Sequence, residues 1–491
     1  MTSTADIAPA HVGEFFINGE WVAPKSSATI DVVDPSTERT VFSVADASAQ
    51  DLDAAIAAAH AAFHEGPWPD LTHAERAAYL YAVADELDEQ EAALSDLWTT
   101  EVGVVNGLAR ATANFFFGNA FRMYADMATS FPFEKEHTPT SGGNYARLVR
   151  EPVGVVGAIV PWNGPLPLVA VKVAPALLAG CTVVVKMAPD APGSGYALAE
   201  IARRVGLPAG VLNVVTADRA VSELLVRDPR IDKVSFTGSL AAGQTIASIC
   251  GERIARVTLE LGGKSAALVL DDYDLEVAAE ALAVQGHMFS GQSCGCLTRV
   301  LIGRNRHDAF VQALAAKFAA VRVGDPWDAT TQMGPLTAAR QLDRVTGYIQ
   351  KGLDSGATLA CGGGRPAELD RGYFISPTVF GNVDNSSAIA QEEIFGPVLS
   401  VIPVDSDEAM VEVANDSNYG LNASVFTQDP TRAYRFARRI RSGTVGQNSH
   451  RTDYGIAYGG FKQSGLGREG GVEGLRPYLE SKTIILEGKP A

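Results

Sequence analysis

Apolar positions change their period along the chain, and the change divides it. Residues 50–64 place Leu52, Ile56, Ala59 and Phe63 at helical spacing, and Gly66-Pro67 follows. That pattern predicts an amphipathic helix with a stop. Residues 72–98 predict another, or a broken pair. Residues 112–130, with Phe115, Phe116, Phe117, Phe121 and Tyr124, predict a third. From residue 153 the pattern turns to short apolar runs, at 155–160, 182–186, 211–216, 233–237 and 256–261. Helical stretches at 193–205, 219–228 and 240–250 lie between them. Strand, helix, strand at this spacing builds a parallel sheet from βαβ units. A second series follows Glu260: a run at 265–270, helices near 274–289, 306–320 and 337–354, and strands near 398–404 and 423–427. Two α/β series thus flank the region 260–294.

The 491 residues exceed one core, and about three domains are expected at ~150 residues each. Hydrophobic residues at 46% and charged residues at 20% suit a globular chain. A net charge of −17 repels phosphate backbones and anionic lipid. It argues against nucleic acid and membrane as partners. A dinucleotide stays admissible, because a local helix dipole outweighs distant charge. The cysteines are Cys181, Cys250, Cys294, Cys296 and Cys361. So few, and odd in number, they read as free thiols in a reducing compartment, with the cytoplasm expected. Met1 to Ala10 has neither a basic start nor an apolar core, so no signal peptide is expected.

Four motifs carry candidate chemistry. Cys294 stands in Phe289-Ser-Gly-Gln-Ser-Cys-Gly-Cys-Leu-Thr298. Small neighbours leave a thiol reachable and let backbone N–H groups favour its thiolate. A buried structural cysteine is the plainer reading. Glu260, in Leu259-Glu-Leu-Gly-Gly-Lys-Ser265, is a carboxylate in a strand-like run. Burial would raise its pKa toward general-base work; a solvent-facing strand position is the alternative. Pro161-Trp-Asn-Gly-Pro165 ends a predicted strand, where ligands gather in open α/β sheets. Asn163 there is either an oxyanion donor or part of a turn. Phe236-Thr-Gly-Ser239 leads a strand into a helix, and the N–H groups of Gly238 and Ser239 would suit a pyrophosphate.

These four motifs, in this order, resemble the aldehyde dehydrogenase superfamily. So do Lys186 after Val183-Val184-Val185, Glu392-Glu-Ile-Phe-Gly-Pro-Val398 and Gly459-Gly-Phe-Lys-Gln-Ser-Gly465, and the likeness runs from about Phe16 to Leu486. The resemblance implies an α/β fold: a Rossmann-like parallel-sheet cofactor domain (1–129 and 152–262), a second α/β catalytic domain (263–463) and a small β oligomerisation arm (130–151 and 476–491). It implies oxidation of an aldehyde to the acid through a thioester on Cys294, with Glu260 activating the hydrolytic water. Asn163 and the Cys294 N–H would form the oxyanion hole, and Lys172 would lie near a proton relay. Lys186 and Glu393 would hold ribose hydroxyls, Phe395 the nicotinamide ribose, and Trp162 and Ser239 the diphosphate. Ile159, Pro161, Gly238, Leu261 and Gly262 complete the implied cofactor site. The assembly implied is a homodimer or homotetramer.

The sequence also departs from the family. Three residues after Lys186, where many NAD-preferring members carry Glu, stands Pro189, with Asp190 next. NAD is expected, because Asp190 would repel a 2′-phosphate, and NADP remains admissible. Gly164, Val171 and Gly295 point to an enlarged pocket, walled by Phe116, Phe117 and Tyr458. A medium-to-long-chain or aromatic aldehyde is expected; His450 and Arg451 leave open a carboxylate-bearing semialdehyde. Two rival functions stand beside this one: a CoA-acylating semialdehyde dehydrogenase, and a non-catalytic ligand-binding relative. Gly465-Leu-Gly467-Arg-Glu-Gly470 matches a dinucleotide fingerprint but lacks its strand and following acid, so it reads as a tight connection. His60 and His64, four apart, lack a third metal ligand, and Cys294 with Cys296 does not close a tetrahedron; no metal is expected.

Overall fold

The computed structural model describes residues 8–490, the side chains of Asn114 and Phe115 excepted. Most of the Met1–Ala10 stretch and the side chain of Phe115 lie outside those residues.

Val183, Val184 and Val185 are all fully buried, so both faces of their strand are covered, as a central parallel strand requires. The strands alternate between two apolar layers. Val156, Ala158, Val183 and Val185 pack under the helices that hold Leu80, Phe117 and Leu177. Val155, Ile159 and Val184 face the opposite layer, with Leu52, Ile56, Leu225 and Ile246. The sheet runs Arg256–Glu260, Lys233–Thr237, Val155–Ile159, Thr182–Met187, Leu212–Thr216, all parallel. Antiparallel Phe15–Ile17 and Glu20–Val22 extend one edge, and Gly465–Leu466 the other. Chain order reverses between Val155–Ile159 and Lys233–Thr237, which pair in register from Lys233↔Val156 to Phe236↔Ile159. That is the switch point, where a crevice opens beyond the strand ends.

The first helix is Ala49–His64, opened by a capping box of Ser48 and Asp51. The 72–98 region is a broken pair, His73–Glu89 and Glu91–Val102, closed by Gly103 in the left-handed region. Asn106–Ser130 starts earlier than its aromatic run predicts. Pro165–Ala179 is a buried helix that the sequence pattern did not reveal, because Pro165, Pro167 and Pro175 mask it. Proline at a first turn is tolerated there.

The second sheet runs Thr358–Cys361, Thr378–Gly381, Val398–Val404, Arg299–Gly303, Ala266–Val269, Asn422–Phe426, Thr444–Gln447. It is parallel except at Thr358–Cys361. Arg299–Gly303 was not anticipated; it begins straight after the cysteine loop. A third sheet pairs Leu479–Leu486 with Tyr145–Pro152, and that with Glu134–His137, all antiparallel. Ile485 stands 50% exposed on it.

Candidate active site

The turn after Val155–Ile159 carries Pro161, Trp162 and Asn163 into the buried helix Pro165–Ala179. Across the switch point, Ser239 caps the helix Leu240–Glu252, its side chain accepting from the Ala242 N–H at 3.4 Å. A cavity of about 170 Å³ opens between them. It brings together Pro161, Trp162, Asn163, Gly238, Ser239, Leu261, Gly262, Cys294, Glu393 and Phe395. A second cavity, about 430 Å³, holds Ile159, Lys186, Pro189 and Asp190. Glu260 and Lys172 line neither; both are buried.

The Cys294 loop is held by strain and by side-chain bonds. Phe289 and Ser290 adopt φ of 53° and 55°, a conformation costing roughly 1–3 kcal/mol each. Phe289 stacks on Trp98 at 5.5 Å, and the Ser290 hydroxyl donates to the Gly334 carbonyl at 2.9 Å. Asn163 Nδ2 donates to the Gln292 carbonyl at 3.1 Å, which ties the two motifs. Its amide carries a second N–H for a ligand. Cys294 is half-buried, with Sγ 3.1 Å from Tyr458 Oη. Burial pushes its thiol up to about 12; the Tyr458 hydrogen bond opposes this, while the charges of Glu393 and Glu260 reinforce it. Burial thus works against the thiolate that backbone N–H groups would favour. Desolvation outweighs backbone dipoles. Cys296 faces elsewhere: it is buried, with Sγ directed at the Gln285 carbonyl at 3.7 Å.

Glu260 ends its strand only 2% exposed, and neither carboxylate oxygen has a hydrogen-bond partner among the described residues. Burial raises its pKa well above the usual carboxylate value; the Glu469 charge adds to that, and Lys172 and Arg468 oppose it. Gly459, at φ 143°, makes room for it: an added Cβ would lie 2.4 Å from Glu260 Oε1. Lys172 Nζ donates to Thr237 Oγ1 at 2.7 Å and pairs with buried Glu469.

Glu393 accepts from the Gly263 N–H at 3.1 Å, and burial raises its carboxyl to about 7. Gly262 permits that approach, since a Cβ would meet Glu393 Oε2 at 2.4 Å. Phe395, at φ 62°, sets its ring edge-on to Trp162 at 5.5 Å. Lys186 is the penultimate residue of Thr182–Met187, its amine lowered to about 8 by burial against the pull of Asp190 and Asp218.

Several expectations about the walls change. Asp190 is not a free charge: Arg340 grips it with Nη1 at 2.7 Å and Nη2 at 2.5 Å. Gly295 adds no void, because a Cβ there would lie 2.9 Å from His450 Nε2. Burial lowers the His450 imidazole to about 4, which disfavours a charged imidazolium at that wall. Phe117 turns into the core, whereas Phe116 meets Tyr454 edge-on at 6.0 Å and Tyr454 meets Tyr458 at 4.7 Å. Around Gly164 an added Cβ finds nothing nearer than 3.7 Å.

The sequence reading also missed residues. Gln341 and Arg344 line the first cavity from the helix Ala339–Asp354; no local motif marks them. Glu469 lay in view within the glycine match read as a tight connection. That segment instead adds a strand beside Glu260 and supplies the partner of Lys172. The set suits a dinucleotide. Gln341 Oε1 is buried without a hydrogen-bond partner among the described residues, a helix N-terminus offers N–H groups, and Lys186 and Glu393 offer a cation and an acceptor.

The Tyr458 hydroxyl is hydrogen-bonded to the nucleophile candidate. Tyr458→Phe is expected to raise the Cys294 pKa further. Its alkylation by iodoacetamide near pH 8 should slow by about tenfold, since a hydrogen bond to a charged group contributes ~1.5–3 kcal/mol. An unchanged rate-versus-pH curve would show that the contact does not tune the thiol.

Comparison with known proteins agrees with this geometry. Residues 21–484 match the aldehyde dehydrogenase family. The chain is 42% identical to geranial dehydrogenase of Castellaniella defragrans, over 96% of this chain and 98% of that one. A Mycobacterium tuberculosis aldehyde dehydrogenase crystallised with NAD+ superposes with TM-score 0.95 at 44% identity, covering 98% and 99% of the two chains. Aldehyde dehydrogenase C of Pseudomonas syringae, solved as a mutant with NAD+ and octanal, gives 0.94 at 38%, covering 99% of each. By fold, by site and by sequence across nearly its whole length, this chain belongs to the aldehyde dehydrogenase family.

Proposed function

We propose that the protein oxidises medium-to-long-chain or aromatic aldehydes to carboxylic acids with NAD, through a thioester on Cys294. One observation carries the reading: Cys294 and the Asn163 amide share a cavity with Glu393, Phe395 and the Ser239 helix terminus. NAD, when bound, accepts the hydride from the substrate carbon. The rest is the work of the chain. Cys294 Sγ gives its proton to solvent water in the open cavity and bonds to the aldehyde carbon, and the second Asn163 N–H and the Cys294 N–H steady the oxyanion. Such a donor contributes roughly 3 kcal/mol. Glu260 then takes a proton from the water that cleaves the thioester, and Glu469 with Lys172 lies next to receive it. A buried base of this kind argues for hydrolysis rather than transfer to CoA. Because Glu260 is a base with a raised pKa, turnover rises with pH through its ionisation.

The tyrosine and phenylalanine walls, and a His450 imidazole that disfavours charge, favour apolar substrates over semialdehydes. Relatives named for geranial and solved with octanal support this. A panel of octanal, benzaldehyde, acetaldehyde and succinic semialdehyde tests it by NADH absorbance. Octanal or benzaldehyde should exceed the other two in kcat/KM by about tenfold or more, as burial of extra methylenes predicts. A preference for succinic semialdehyde would sink the apolar reading.

Residues 1–129 and 152–262 act in this reading as the cofactor-binding domain, 263–463 as the catalytic domain, and 130–151 with 476–491 as the arm. The arm's open edges suit pairing between subunits in a homodimer or homotetramer. Light scattering at micromolar concentration should give at least twice the 51.7 kDa chain mass; a monomeric mass would remove that reading. Among the described residues no helix is long and apolar enough to cross a membrane, and the free thiols suit a reducing cytoplasm.

A further inference from the structure

Trp98 is a buried residue of the helix Glu91–Val102 and does not line the Cys294 cavity. Its side chain nonetheless reaches both catalytic segments. The indole N–H donates to the Asn163 carbonyl at 3.2 Å. The ring stacks on Phe289, with centroids 5.5 Å apart and planes 23° from parallel. An indole combines one donor with a broad apolar face, so a single side chain serves the two segments at once.

Those segments are joined a second time. Asn163 Nδ2 donates to the Gln292 carbonyl at 3.1 Å, and the Gln292 N–H donates to the Phe289 carbonyl at 3.0 Å. Trp98, Asn163, Gln292 and Phe289 thus close a circuit. Trp98 and Asn163 come from elements around the first sheet, whereas Phe289 and Gln292 belong to the strained turn that leads into Cys294. Gln292 is also held from outside the circuit, its Oε1 accepting from the Thr337 N–H at 3.1 Å.

The Asn163 peptide needs the indole. In a regular helix a carbonyl accepts from the N–H four residues on, and four residues after Asn163 stands Pro167, which has no N–H. Gly164, next in the chain, brings no side chain to brace the turn: an added Cβ there would find nothing nearer than 3.7 Å. Loss of the indole N–H would therefore let the Asn163 peptide turn, and its side-chain amide would swing with it. An oxyanion donor acts only when it already lies about 2.7–3.1 Å from where the oxyanion forms.

We propose that Trp98 is a positioning residue that sets the spacing between the Asn163 amide and the Cys294 loop, so that the donor is aimed before the tetrahedral oxyanion forms. The inference rests on the roles proposed above for Asn163 and Cys294. Trp98 acts through Asn163 alone, and its effect on rate exists only while the amide is there to be aimed.

The test is a double-mutant cycle on the single-turnover rate of NADH formation at saturating octanal and NAD+. Trp98→Phe keeps an aromatic face for Phe289 and removes the N–H. The rate should fall by about tenfold, the scale of one hydrogen bond, with the NAD+ dissociation constant within about twofold of the unmodified protein. Alkylation of Cys294 by iodoacetamide should keep its rate, because it forms no oxyanion. Asn163→Ala should slow NADH formation by ~10²–10³, and adding Trp98→Phe to it should change the rate by less than about twofold. A Trp98 that merely supports the fold would give the same loss in both backgrounds. Phe289→Leu opens the circuit at its other joint and should also slow NADH formation, by several-fold. The proposal is overturned by an unchanged rate in Trp98→Phe, by an equal loss in the Asn163→Ala background, or by an unchanged rate in Phe289→Leu. Absence of NADH from the unmodified protein with every aldehyde would instead bring down the oxidation reading itself.

Discussion

Cys294→Ala is expected to abolish NADH formation with every aldehyde while NAD still binds. The thioester needs a nucleophilic sulfur, and no other thiol is placed to replace it. Cys296 is two residues away but buried, its Sγ aimed at the Gln285 carbonyl at 3.7 Å. Cys294 alone lines the cavity with Asn163. Loss of a covalent nucleophile typically removes several orders of magnitude in rate, up to ~10⁶. Cys296→Ser should keep most activity, since a hydroxyl still donates to the Gln285 carbonyl. The two sulfurs are held apart, each on a different partner: Cys294 Sγ on Tyr458 Oη and Cys296 Sγ on the Gln285 carbonyl. The two variants are compared by NADH absorbance and by calorimetric titration with NAD+. Activity surviving in Cys294→Ala and vanishing in Cys296→Ser would mean that the nucleophile has been misassigned.

Periodicity made the parallel strands legible because they are buried on both faces and read as unbroken apolar runs. Val183-Val184-Val185 is the plainest case. The switch point followed from order alone, once strands and helices alternated. What periodicity could not reveal were elements whose local signal is spoiled or too short. Three prolines hide the helix Pro165–Ala179, although its burial is among the most complete in the chain. Gly465–Leu466 is two residues long and visible only through its pairing with Glu260. The candidate site divides the same way. Its motif-bearing residues were legible, because turns at strand ends demand particular glycines, prolines and asparagines. Glu469, Gln341 and Arg340 were not, because each acts across a tertiary contact with a residue far away in sequence. The burial that raises the Cys294 pKa was not legible either: small neighbours in sequence do not tell how deeply a loop is buried.

Glu260→Gln should leave hydride transfer competent and stall deacylation. A single burst of NADH, near one per active site, is expected, followed by a steady rate lower by ~10²–10⁴, the usual contribution of a general base. The burst separates this variant from Cys294→Ala, which should give none. Its pH behaviour should differ as well. Burial and the Glu469 charge raise the Glu260 pKa in the folded protein. The unmodified enzyme therefore gains activity as pH rises through that value, and the variant loses this limb. Stability moves the other way. A carboxyl whose folded pKa lies above its unfolded one binds its proton more tightly when folded. Its contribution is fully present below the unfolded pKa and is lost as pH rises through the folded one. Above that point the unmodified protein holds a buried charge whose oxygens lack hydrogen-bond partners among the described residues. Glutamine carries no charge there. The melting temperature of Glu260→Gln should thus exceed that of the unmodified protein by a margin that widens from pH 5 to pH 9. A burst followed by undiminished turnover would show that water is activated elsewhere. A margin that narrows with pH would show that Glu260 is already ionised and solvated in the folded state.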